Sequence, residues 1–229
     1  MKKLVLIGLL LSGITGTTQA NQTQIDAVEL AAMQLNTQEL QSLIMNNASY
    51  EQALAYYRLA VTHNLNAKQD KAIESLNLSM KLLEMEVEAN PQDGESWALL
   101  AQVYGLKIAF EPLKGVVYGP KASEALSNAH DINPQNPRVF LVKGISEYHT
   151  PAMFGGSKKG AVKSLTKAIA LYPQDKASNY HWGEADAYIW RGLAYIDLGD
   201  KPKALADFQS AQLVAPDNGW ARDLEQSHQ

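Results

Sequence analysis

The sequence predicts an all-α protein: a right-handed α-α solenoid of about four stacked helical hairpins, with capping helices and enlarged loops. Two observations carry this. A motif of alanines, one large apolar residue and a closing proline recurs at constant spacing, as Ala122-x3-Leu126-x2-Ala129-x4-Pro134, Ala161-x3-Leu165-x2-Ala168-x4-Pro173 and Ala204-x3-Phe208-x2-Ala211-x4-Pro216. Upstream of each copy lies a second helical pattern, clearest as Tyr188-x2-Arg191-Gly192-x2-Tyr195. Residues three and four apart share one helical face, and proline cannot continue a helix, so each pair of patterns describes two helices and a stop. A hairpin repeat of this kind cannot bury its apolar face alone and must stack on its neighbours.

The chain opens differently. Met1-Lys2-Lys3 is a basic start, Leu4 to Leu11 is an apolar run broken only by Gly8, and Thr18-Gln19-Ala20 offers small residues before a cut. This is the layout of an export signal over residues 1–20, with cleavage after Ala20. The run is far shorter than the roughly 20 apolar residues a membrane span needs. A lipid anchor would require a cysteine, and the 229 residues contain none. The expected location is the periplasm or the outside of a bacterial cell, with neither a membrane span nor a lipid anchor.

Composition narrows the partner. The formal net charge is −4, and without Lys2 and Lys3 it becomes −6, with 18 basic against 24 acidic residues. An acidic chain argues against nucleic acid, or an anionic membrane surface, as the main partner, because both reward clustered lysine and arginine. With 46% hydrophobic residues and no disulfides, stability must come from packing.

Residues 21–52 read as leading, capping helices, with Ile25, Val28, Leu40, Leu43 and Ile44 as their apolar positions and Ser49-x-x-Gln52 as a capping box opening the first hairpin. The first hairpin starts with Tyr56-x2-Leu59-Ala60-x2-His63 and Ala72-x3-Leu76-x2-Ser79, its second helix running on to Pro91. The next two first helices read Trp97-x2-Leu100-Ala101-x2-Tyr104 and Phe140-x2-Lys143-Gly144-x2-Glu147. Asn136, Asp175 and Asp217, shortly after the prolines, offer turn chemistry and an N-cap for the next helix in each case. Trp220 and Leu224 suggest a terminal capping helix over residues 219–229.

These residues resemble the tetratricopeptide repeat family, whose succession of aromatic, small residue, aromatic, alanine, aromatic and proline is met best between Ala185 and Asn218. Arg191, Lys143 and Glu147 depart from the family's apolar preference. The resemblance implies a repeat domain over residues 53–218, in units of about 53–93, 94–136, 137–175 and 185–218. Four units of about 34 residues leave roughly 30 residues over, placed as insertions in the first three units and between the last two.

The resemblance also implies a protein or peptide partner and a concave groove lined from the first helix of each unit. By spacing, those positions are Tyr57 and Val61, Ala98 and Gln102, Leu141 and Ile145, and Ile189 and Leu193. This apolar set lacks the lysine, arginine and asparagine with which family members clamp a terminal carboxylate, and suits an amphipathic helix or an extended apolar segment. Two alternatives stand beside an open groove: these residues face neighbouring helices, or the leading helices fill it. Phe110, Tyr118, Phe154 and Trp182 mark the insertions, either as a hydrophobic lip for a partner or as seals over enlarged loops.

No nucleophile elbow, phosphate-binding glycine loop or metal-ligand spacing is present, so neither catalysis, cofactor nor metal is expected. Glu147-x-His149 and His181-x2-Glu184 could converge only through the fold. The reading is an exported interaction module or scaffold. The alternatives are a structural subunit of an envelope assembly, and a small-ligand protein or enzyme using the 147–184 region.

Overall fold

The computed structural model describes residues 21–47, 49–175 and 179–229. The expected export signal, residues 1–20, lies outside the described residues. Two leading helices, α1 (Gln22–Met33) and α2 (Thr37–Asn46), precede four hairpins. These are α3 (Ser49–Leu65) with α4 (Gln69–Ala89), α5 (Gly94–Phe110) with α6 (Gly115–Ile132), α7 (Pro137–His149) with α8 (Lys158–Asp175), and α9 (Glu184–Asp197) with α10 (Lys201–Val214). A final helix, α11 (Gly219–Ser227), covers the last hairpin, where its Ala221, Trp220 and Leu224 pack on Ala185, Ile189 and Ala211. Among the described residues there is no strand, and no helix is long and apolar enough to cross a membrane.

Each hairpin closes on a small residue facing a large one. A Cβ at Gly192 would come within 2.6 Å of the Phe208 ring, and one at Gly144 within 2.5 Å of Leu165 Cγ. Ala60 and Ala101 occupy the same frame in the first two hairpins, both buried. The recurring alanines Ala72, Ala129, Ala161, Ala168, Ala204 and Ala211 are essentially solvent-free, whereas Ala122 and Leu126 of the second hairpin are only half-buried and Ala125 takes the buried place instead. Small side chains on both helices let the backbones approach until Leu76, Leu165 and Phe208 fill the seam, each at 0% exposure.

The helix ends follow cap chemistry, with departures from expectation. Asn136 caps α7 by accepting from the Arg138 amide, and Asp93 caps α5. At the last boundary Asn218, not Asp217, caps α11. Asp175 caps nothing: it ends α8, with Pro173 still inside that helix, and turns its carboxylate to Arg138 and His181. The expected capping box at Ser49 is absent. Ser49 takes the left-handed conformation, φ 50°, and the Gln52 amide donates instead to the Ile44 carbonyl at the end of α2.

The insertions are structured. In the second hairpin, the residues after Phe110 form a 3-10 turn, Pro112–Lys114, and α6 then starts at Gly115, well before the repeat motif at Ala122. Pro120 is the sixth residue of α6, past the turn whose amides are free, and leaves the Val116 carbonyl without its intrahelical donor. In the third hairpin a 3-10 turn, Ala152–Phe154, ends on Gly155 at φ 92°, a conformation only glycine takes freely.

The Gly192 seam makes a direct prediction. Gly192→Leu drives a side chain into Phe208 and lowers stability by roughly 1–3 kcal/mol. Gly105→Ala, in mid-helix α5 where an added Cβ meets nothing within 4 Å, raises it by up to about 1 kcal/mol. Thermal and urea unfolding followed by circular dichroism reads both.

Candidate functional site

In a stack of hairpins the first helices, here α3, α5, α7 and α9, face the concave side. In this chain that side is covered from within. Helix α1 lies along α3 and reaches α9: the Asn21 amide donates to Glu51, and the Gln22 side chain exchanges two hydrogen bonds with the His181 backbone. Ile25 and Val28 are fully buried in the same apolar core as Leu54, Tyr57, Leu99 and Leu141. Burying each such side chain contributes about 1.5–3 kcal/mol.

A charged cluster fixes α1 in place. Arg58 of α3 donates through Nε and Nη2 to both Glu29 oxygens of α1, at 2.6 and 2.5 Å, and through Nη2 to Asp186 of α9 at 2.8 Å. Its guanidinium also lies 5.4 Å from the Tyr57 ring centroid and 5.6 Å from that of Trp182. Burial pushes the Glu29 carboxyl above its ordinary range, against the pull of Arg58. Burial opposes the Arg58 charge too, but Asp186 and Glu29 outweigh it and hold the guanidinium ionised.

A second cluster braces the middle hairpins. Arg138, 1% exposed, bonds both oxygens of Glu95 from α5 and both of Asp175 from α8, at 2.6–2.9 Å, while Asn136 bonds Glu95 at 2.9 Å. Asp175 also meets His181 Nδ1 at 3.1 Å. Burial raises the Asp175 carboxyl, but hydrogen bonds from His181 and Arg138 prevail and hold it below the ordinary aspartate range.

The connection into α9 turns inward over this cluster. Gly183 sits at φ 86°, and a Cβ there would come within 2.7 Å of Leu141 and 2.9 Å of the Tyr172 hydroxyl, so glycine is required twice over. Trp182, 3% exposed, donates from Nε1 to the Tyr50 hydroxyl at 2.7 Å. Tyr180 meets the Tyr50 ring edge-on.

The groove positions read from the sequence do not form an open channel. Tyr57, Gln102 and Leu141 are buried: Gln102 donates to the Tyr57 hydroxyl at 3.0 Å, and Leu141 lies against Gly183 of the inward turn. Ala98 packs instead between helices with Ala129 and Val139. Ile189 lies buried and Leu193 half-buried beneath α11. Val61 and Ile145 stay half-buried at the edge of the core.

The insertion residues divide. Trp182 is a seal, and Phe110 and Tyr118 pack half-buried on the main core. Phe154 stands out, 74% exposed, beside Met153 at 83%. In the second insertion Leu113 and Val116 protrude instead, at 96% and 87%.

The two histidine pairs remain apart in role. Glu147 accepts from Ser164 at 2.7 Å, and His149 meets the Trp190 ring edge-on, 4.8 Å between centroids. His181 is held between Asp175 and Glu184. Among the described residues, no group of three acidic or histidine side chains could hold a metal. The charged groups that organise this region, Arg58 and Arg138 with their carboxylates, carry one signal in the sequence: each is a charge inside an apolar helical run.

The tetratricopeptide repeat pattern matches residues 185–218, which span α9 and α10. A thermophilic tetratricopeptide repeat protein of Thermus thermophilus superposes with a TM-score of 0.55 at 20% identity, over 90% of this chain and 95% of that one. The haemophore HusA of Porphyromonas gingivalis superposes with a TM-score of 0.55 at 21% identity, over 77% of this chain and 94% of that one. Comparison with curated proteins gives no match. At these identities the likeness is one of fold: the chain resembles tetratricopeptide repeat proteins and shares their all-α solenoid architecture.

Two outcomes follow from the Arg138 cluster. Arg138→Met leaves Glu95 and Asp175 buried without a counter-charge and costs roughly 3–5 kcal/mol in urea unfolding at neutral pH. Asp175→Asn is less stable than the parent at pH 7. Because the folded state holds Asp175 below its ordinary pKa, its contribution is complete above the ordinary aspartate range and is lost as pH falls through the depressed value. The gap between the two urea midpoints therefore closes as pH falls below the ordinary aspartate range.

Proposed function

We propose that the chain is an exported interaction scaffold that takes an apolar helical segment of a protein partner on its concave side, in exchange with its own helix α1. A stack of tetratricopeptide-like hairpins is an interaction scaffold by architecture. The observation that carries the finer reading is α1 itself, a 12-residue helix seated across α3 and α9 with Ile25 and Val28 buried. A face that accommodates this helix suits another of the same amphipathic chemistry. The seat is exchangeable because part of its hold is a buried ion pair. Desolvation of Glu29 and Arg58 offsets much of their attraction, so the pair fixes position more than it adds affinity.

In the exchanged state Tyr57, Val61, Gln102, Leu141 and Ile145 line the partner's seat. Ala98, Ile189 and Leu193 stay within the packing of the stack. The leading segment, ending at Ala20, supports export of the whole chain.

Crosslinking and co-purification from the native envelope tests this. Arg58→Leu, which loosens α1, increases the yield of the captured partner. Val61→Asp with Ile145→Asp, both half-buried positions, abolishes capture while helicity by circular dichroism is kept. A partner retained by the double variant would overturn the reading.

A further inference from the structure

The turns between the two helices of each hairpin lie along one edge of the stack. Lys158, at the start of α8, shows the adjacency: its Nζ donates to the Tyr148 carbonyl at the end of α7 and pairs with Asp197 at the end of α9, at 2.9 Å in each case. Two features of this edge bear on binding. The first is apolar. Leu113 and Val116 protrude from the second hairpin and Met153 and Phe154 from the third, between 74% and 96% exposed, although each insertion could have buried them.

The second is charge. The first turns of α6, α8 and α10 contain no acidic residue, and α8 and α10 open instead with Lys158-Lys159 and with Lys201 and Lys203. A helix N-terminus favours anions, so these lysines work against the helix dipole. Of the first helices, α3, α5 and α9 show the opposite order, with Glu51, Glu95, and Glu184 and Asp186 in their opening turns, while α7 opens with Arg138 and the second helix α4 with Asp70. Some of the lysines are paired, Lys158 with Asp197, Lys114 with Glu111 and Lys203 with Asp200. Lys159 and Lys163 are exposed, four residues apart on one face of α8, and α8 carries no acidic side chain before Asp175.

We propose that this edge is a docking surface for an anionic lipid bilayer, with Leu113, Val116, Met153 and Phe154 entering the interface and Lys159 and Lys163 meeting the lipid phosphates. The shape favours a lipid surface over a peptide: the apolar side chains stand on protruding turns rather than lining a groove. Their pairing with lysine is the chemistry of interfacial membrane binding. The negative net charge does not oppose this, since charges farther off than about 8 Å are screened at physiological salt. This surface is separate from the concave side and does not depend on the exchange of α1.

Vesicle flotation tests it, using the full chain and the chain from Asn21 onward side by side, so that the leading apolar run is not mistaken for the edge. Vesicles of phosphatidylcholine containing phosphatidylglycerol float with bound protein, and pure phosphatidylcholine vesicles do not. Raising salt to about 1 M releases it. Lys159→Gln and Lys163→Gln each weaken binding roughly fivefold. Leu113→Asp with Phe154→Asp abolishes binding, and because both side chains are exposed, helicity is unchanged. Absence of binding to the anionic vesicles by the chain from Asn21, equal binding to neutral ones, or binding that survives these substitutions overturns the proposal. So does capture of an acidic protein through this edge without any vesicle binding.

Discussion

Arg58 joins three parts of the chain that have no local reason to meet: Glu29 before the repeats begin, α3 in the first hairpin and Asp186 in the last. The rest of the arrangement depends on that closure. A solenoid built only from neighbour contacts has an inner face on which the first helices look across a gap. Here the gap holds α1 with Ile25 and Val28 in the core, and the turn carrying Trp182 lies beside it, within cation–π reach of Arg58. Once Arg58 is buried its charge must be met, and carboxylates from both sides meet it. The inner face is therefore a packed core, and any partner that uses it competes with residues already there.

The parts of this fold that are legible in the sequence are those decided within one hairpin. Gly192 facing Phe208, and Gly144 facing Leu165, are fixed by the approach of two consecutive helices, so the small and large residues recur at a nearly constant offset. The caps are local as well, and Asn136 reads correctly for that reason. What covers the first helices is decided by segments distant in the chain, which no spacing within a repeat reports. Tyr57 and Leu141 are buried, and nothing in their own segments says that residues 22–33 and the turn at Gly183 join the same core. Asp175 misleads in the same way: after a proline it has the look of a cap, but its partner Arg138 comes from the preceding helix of the hairpin.

The two buried arginines do different work. Arg138 sits within consecutive hairpins and is met by two carboxylates and an asparagine-supported geometry, so it locks neighbours that would stack in any case. Arg58 ties elements that the repeat architecture leaves separate. Removing the same kind of contact therefore has different consequences: loss of Arg138 damages the stack, whereas loss of Arg58 opens its inner face. A buried ion pair is a poor source of net stability but a strict one of position, because misplacing either partner strands a charge out of water.

The same separation of local and summed properties governs charge. Counted over the chain, acidic residues outnumber basic ones, and that sum weighs against an anionic surface. Counted by position, acids open the first helices α3, α5 and α9, where the dipole favours them, and lysines open α8 and α10, where it does not. A favourable placement needs no explanation beyond stability. An unfavourable one is met in part within the chain, Lys158 by Asp197 and Lys203 by Asp200, but Lys159 and Lys163 stay exposed near protruding leucine, methionine and phenylalanine, and an anionic interface supplies a counter-charge for the first and an apolar phase for the second.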